Sequence, residues 1–188
     1  MQNSIPDLLK SLYIAACCAG IIAILTALII VSRRSSVART WEPLVPIVNG
    51  ILERKYGFAV LRGTYQNHPI LATQILGGAE NPDTFQIEMT TVSRGANWLV
   101  RYGSEKFFGK DHWHLQANHE TLRQRLENSE ILSEMQPWES HPTISYRADY
   151  GTLTYEEQGR VPGPERFQAQ LDLLHHLAQL NEQLNGMV

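Results

Sequence analysis

The stretch best equipped for chemistry is Asp111-His112-Trp113-His114, followed by His119-Glu120. On a strand, His112 and His114 project to one face, because side chains alternate. His119 returns close to them if a helix begins there. Three imidazoles beside a carboxylate form a donor set that zinc accepts in catalytic sites. Against this, the spacing matches no closed metal motif, and His or Asp at a strand edge is ordinarily solvated. No metal ligand is therefore assigned; His112, His114 and His119 are the candidates if there is one.

The other chemistry-bearing residues divide the same way. His175 and His176 lie in one helical stretch and diverge by about 100°, so one borders the core and the other is wet. Glu156 and Glu157 lie on a strand and face opposite sides, so they cannot work as a mutual acid/base pair. Ser and His occur without a nucleophile elbow, and no phosphate loop or dinucleotide fingerprint is present. No residue is expected to be catalytic, and no cofactor is expected.

Thr40 can cap a helix in which Leu44, Val48, Ile51 and Leu52 form one apolar face, with Gly57 as C-cap. Trp41, at its start, suits a membrane interface. The period then drops to two. Phe58 to Tyr65 and Pro69 to Leu76 read as strands joined by Gln66-Asn67-His68. Thr84 to Ser93, Trp98 to Tyr102 and His112 to Gln116 continue the series. Asn118 to about Met135 reads as a helix that Pro137 stops. Thr143 to Ala148 and Thr152 to Glu157 form a hairpin around Tyr150-Gly151. Pro164 opens a last helix with Phe167, Leu171, Leu174, Leu177 and Leu184 at helical spacing. Its second stripe, Leu173, Leu177, Leu180 and Leu184, is wide enough to meet a partner as well as the sheet. The expected fold class is α+β: an antiparallel sheet built of a five-strand meander plus a hairpin, with about three helices packed on it.

Ahead of that lies an uncharged run, Leu12 to Val31. About twenty residues of helix span roughly 30 Å, a bilayer's hydrocarbon thickness. It is too long for a signal h-region, and the lipobox-like Ile14-Ala15-Ala16-Cys17 is interrupted upstream by Lys10. The expectation is an uncleaved, single-pass transmembrane helix. Residues 1–11 form a short tail, 12–31 the helix, 32–39 a basic linker and 40–188 a soluble domain. Arg33, Arg34 and Arg39 follow the helix and set its topology, placing the soluble domain in the cytoplasm. Ala16, Gly20, Ala23 and Ala27 form a small-residue stripe suited to helix packing. The run holds no His, Asp, Glu, Lys or Arg, so it reads as an anchor or packing element, not a transport path.

Composition bounds the rest. Hydrophobic residues make up 43% of the 188, which excludes general disorder. Beyond Arg39 there are 12 basic and 18 acidic residues, a net charge of −6. With no Lys/Arg cluster, such a domain is a poor nucleic-acid binder. The only cysteines, Cys17 and Cys18, lie in the apolar run, so the domain has no disulfide.

These features imply a non-catalytic accessory or assembly subunit of a larger membrane complex at the cell membrane. Its partners would be the lipid bilayer and other transmembrane subunits. The alternatives are a membrane-tethered, metal-dependent hydrolase using the His cluster and a cytoplasmic ligand-binding or sensor module.

Overall fold

The computed structural model describes residues 13, 16, 18–25, 39–55, 58–77, 82–92, 95–103, 112–117, 120–128 and 142–185. The chain divides into two compact units, Met1–Arg39 and Thr40–Val188.

In the first unit, residues 13, 16 and 18–25 are helical. Tyr13, Ile21, Ile22, Ile24 and Leu25 are all more than half exposed. The expected membrane-spanning helix over Leu12–Val31 is corrected here: among the described residues, no helix is long and apolar enough to cross a membrane. The rest of that span, with the tail and most of the basic linker, lies outside the described residues.

The second unit begins with a 3-10 helix, Glu42–Val48, with Pro in its first turn and again at Pro46. Thr40 does not cap it; Trp41 stands at the cap position, with no side-chain hydrogen bond. Nor does Trp41 face an interface. It is 1% exposed, its ring 5.8 Å from Phe85. The helix also ends sooner than the apolar spacing implied. Asn49 takes a left-handed conformation (φ 46°), and Gly50 N–H donates to Val45 O at 3.1 Å. Ile51 and Leu52, expected on the helix, instead open strand β1, Ile51–Lys55. Two prolines in seven residues leave too few i to i−4 bonds to carry a helix further.

The strands that follow are β2, Phe58–Tyr65; β3, His68–Ile75; β4, Thr84–Thr90; β5, Trp98–Gly103; and β6, His112–Ala117. Helix α1, Glu120–Glu127, covers part of the helix expected from Asn118; positions 129–141 lie outside the described residues. Strands β7, Thr143–Arg147, and β8, Thr152–Gln158, lead to α2, Pro164–Asn185. The β2–β3 turn is tighter than expected. Tyr65 pairs with His68, leaving Gln66 and Asn67 as a two-residue loop with φ of 48° and 69°. Positive φ at both positions gives the turn whose twist matches the strands.

All the strands join one eight-stranded antiparallel sheet in the order β1-β2-β3-β4-β8-β7-β5-β6. This corrects the meander-plus-hairpin expectation. The β7–β8 hairpin is not appended to a five-strand meander but inserted in it, between β4 and β5. Strand β4 was expected beside β5 and pairs with β8 instead, Ile87 opposite Tyr155.

Register aligns the core. One row runs Leu61, Ala72, Ile87, Tyr155, Ile144 and Val100 across neighbouring strands. All six are at most 0% exposed. Helix α2 packs on this face with Phe167, Leu171, Leu173, Leu174, Leu177 and Ala178, all buried. Burial of each such large side chain stabilises by about 1.5–3 kcal/mol. Of the second stripe, which could pack in the core or in part meet a partner, Leu173 and Leu177 are core residues and Leu180 is half-buried. The opposite sheet face carries polar and charged side chains such as Arg62, Glu88, Glu156, Arg101 and Gln116, as alternation on a one-sided sheet requires.

Candidate functional site

The expected metal candidates come from β6 and the chain after it. His112 lies opposite Gly103 and His114 opposite Arg101, in the edge strand. The His114 side chain is half-buried. Asp111 and His119 lie outside the described residues, so the three imidazoles are not seen as a set. Among the described residues, no group of three His, Cys, Asp or Glu side chains could hold a metal ion. Of the small-residue stripe, Ala16, Gly20 and Ala23 are helical and exposed, and nothing stands within 4 Å of where a Cβ on Gly20 would lie. Ala27, Arg33 and Arg34 fall outside the described residues; Arg39 is exposed.

The structure instead brings polar side chains together along α2, in two clusters. The first is at its N-terminal end. Strand alternation turns Glu157 inward, to 7% exposure, while Glu156 stays exposed. A buried carboxylate is costly unless paired and hydrogen-bonded. Here three donors converge on it. Tyr155 donates its hydroxyl to Oε2 at 2.7 Å, Gln170 donates its amide to Oε2 at 2.8 Å, and Arg166 pairs with Oε1. Arg166 and Gln170 are four apart and so share a face of α2. Burial pushes the Tyr155 phenol well above its ordinary range, with Gln170 and Arg166 pulling the other way. The phenol is therefore a fixed donor at neutral pH, and the cluster acts as a latch between β8 and α2.

The second cluster lies where α2 passes the β2–β3 turn. Tyr65, the last residue of β2, donates its hydroxyl to Asp172 Oδ1 at 2.5 Å. Burial, then Asp172 as hydrogen-bond partner and charge, pushes the Tyr65 pKa from 10.0 up to about 12. Three residues further along α2, His175 meets His68 edge-on, with ring centroids 5.3 Å apart. His68 Nδ1 is 3.2 Å from Thr90 O, and His175 Nε2 is 2.9 Å from Gln179 Nε2. His175 is half-buried and His176 exposed, as their divergence on a helix demands. Thr91 closes the cluster, donating to Glu182 Oε1 at 3.1 Å.

Both clusters escaped the sequence reading for one reason. Tyr65 and Asp172 are 107 positions apart, and no local spacing announces a contact between them. Glu157 offered a fainter signal, since an acidic residue on the apolar side of a strand requires a partner. No family model matches this chain, and no curated protein or solved structure matches it either.

Proposed function

We propose that this chain is a non-catalytic accessory or assembly subunit of a larger membrane complex, with its Thr40–Val188 unit on the cytoplasmic side. One observation carries the reading. Ile21, Ile22, Ile24 and Leu25 are helical and between 53% and 64% exposed. Successive residues of a helix turn by about 100°, so these four cover somewhat less than half of its circumference; Cys18, Ala19, Gly20 and Ala23 fill the rest, and no charged side chain lies on any face of residues 18–25. A helix apolar on all sides is stable only in apolar surroundings. The apolar surfaces of partner subunits are the surroundings this reading supplies. Arg33, Arg34 and Arg39 follow in sequence and favour the anionic cytoplasmic leaflet, at about 1 kcal/mol each near its surface.

Three acidic groups of the folded unit serve its own packing. Glu157, Asp172 and Glu182 each accept bonds from neighbouring side chains within the fold.

Extraction of native membranes in mild detergent, followed by native separation, tests the proposal. The chain should migrate with other subunits. A double substitution, Ile22→Asp with Leu25→Asp, should release it into the aqueous fraction while leaving the unit's own melting unchanged. A chain that always migrates as a lone monomer overturns the reading.

A further inference from the structure

We propose that His68 and His175 form a pH-sensitive clasp that holds the β2–β3 hairpin against α2 while His175 is neutral and loosens it when His175 gains a proton. The geometry of the corner supports this. The two rings come from different elements and meet edge-on at 5.3 Å between centroids. This contact suits two neutral rings, whereas two imidazolium ions at that distance repel.

His175 is also poorly prepared to carry a second proton. Its Nδ1 is buried and has no hydrogen-bond partner among the described residues. A charged imidazole is a donor at both nitrogens. Protonation would thus leave an N–H at Nδ1 with no acceptor there, a costly arrangement. The other nitrogen faces the Gln179 amide, which can donate to it or, turned over, accept from it.

The charged and titratable groups around His175 are few among the described residues. The hairpin contributes His68 and, through its bond to Asp172, Tyr65. Helix α2 itself contributes Asp172, His176 and Glu182. Burial, then His68, then His176, lowers the affinity of His175 for a proton; Asp172 and Glu182 oppose them and do not prevail. The contact also sits at a corner with few other cross-element ties. Besides the ring contact, it is held by the bond from Tyr65 to Asp172 on one side and that from Thr91 to Glu182 on the other. A change at His175 is therefore felt by the turn and by the second half of α2, not by the Glu157 latch.

Hydrogen exchange of the full chain in detergent, corrected for intrinsic rates, tests this between about pH 7.5 and about pH 5.5, which brackets an ordinary imidazole. Protection of residues 64–70 and of α2 beyond Asp172 should fall severalfold on acidification, while β4 at Phe85–Met89 holds. His175→Gln, which cannot charge, should flatten that slope; His176→Gln, at the exposed neighbour, should leave most of it. Equal protection at both pH values, or an unchanged slope in His175→Gln, overturns the clasp. If His175→Gln does not fold, an imidazole titration by NMR on the unaltered chain decides. His175 must gain its proton below the ordinary range, and titration at or above that range overturns the proposal.

Discussion

Tyr65 and Glu157 show how one side chain ties α2 to the sheet at each cluster. For Tyr65, burial and Asp172 hold the neutral phenol, raising its pKa from 10.0 to about 12. The unfolded chain therefore loses this proton first as pH rises. The stabilisation is complete below about pH 10 and is lost progressively as pH climbs towards about 12. Urea midpoints measured across this range should fall more steeply for the native chain than for Tyr65→Phe. At neutral pH the same substitution should cost about 1 kcal/mol, the net worth of one hydrogen bond. Parallel alkaline slopes would show that the fold does not hold the Tyr65 phenol neutral. Glu157 predicts a larger effect. Its three donors leave it satisfied while buried, so removing Arg166 strands most of a buried charge. Because Arg166 is itself partly exposed, Arg166→Met should cost only about 1–3 kcal/mol by urea midpoint. Glu157→Ala, which also removes the carboxylate that Tyr155 and Gln170 donate to, should cost more. The reverse ranking would mean that the latch is not built around the carboxylate.

At the scale of elements, legibility followed the range of the interactions that decide each one. Strands β2, β3, β4, β7 and β8 were readable because Leu61, Ile87, Met89 and Leu153 alternate with polar residues, and alternation is a local property. Helix α2 was readable from Phe167, Leu171 and Leu174 for the same reason. Ile51 and Leu52 misled because their spacing from Leu44 and Val48 fits a helical face. What decides their state is non-local: β1 pairs along β2, Leu52 opposite Leu61. Close backbone approach enforces that pairing. A Cβ on Gly63 would stand 2.3 Å from Val48 O, and one on Gly50 would stand 2.2 Å from Arg62 O. Only glycine at both positions lets the end of the 3-10 helix lie against β2. Gly63→Ala should therefore destabilise by about 2–3 kcal/mol, since backbone cannot yield as a flexible side chain can. Thermal unfolding checks this against Gly163→Ala, where nothing stands within 4 Å of the added carbon and little change is expected. Equal melting of the two variants would refute the close-approach account.

Across the whole folded unit, the consequence of inserting β7–β8 between β4 and β5 is a sheet with one narrow seam. Strands β1 to β4 are a local meander joined to β8 over seven paired positions, Thr84–Thr90 with Gln158–Thr152. Strands β5 and β6 reach the rest of the sheet only through β7, over four, Trp98–Arg101 with Tyr146–Thr143. Tyr102 N–H to Pro142 O at 3.0 Å and Ala148 N–H to Asn97 Oδ1 at 2.7 Å extend that seam at its two ends, and Tyr146 is its central side chain. Tyr146 packs its ring 6.0 Å from Trp98 and donates its hydroxyl to Val92 O at 2.7 Å. The long helix reinforces the other half, where Phe167 meets Phe85 edge-on and Tyr65, His68 and Glu157 fasten it. A two-stranded hairpin without its neighbour is marginal in water, so β5–β6 has little to hold it once the seam opens. The sheet should open there first. Native-state hydrogen exchange in rising denaturant should give the β5 amides a lower opening free energy than those of β3 and β4, which should exchange only on global unfolding. Tyr146→Ala should widen the gap, removing about 3–5 kcal/mol of packing from the seam itself. If β5 and β3 amides share one opening free energy in both proteins, the seam carries no independence and the sheet unfolds as a single unit.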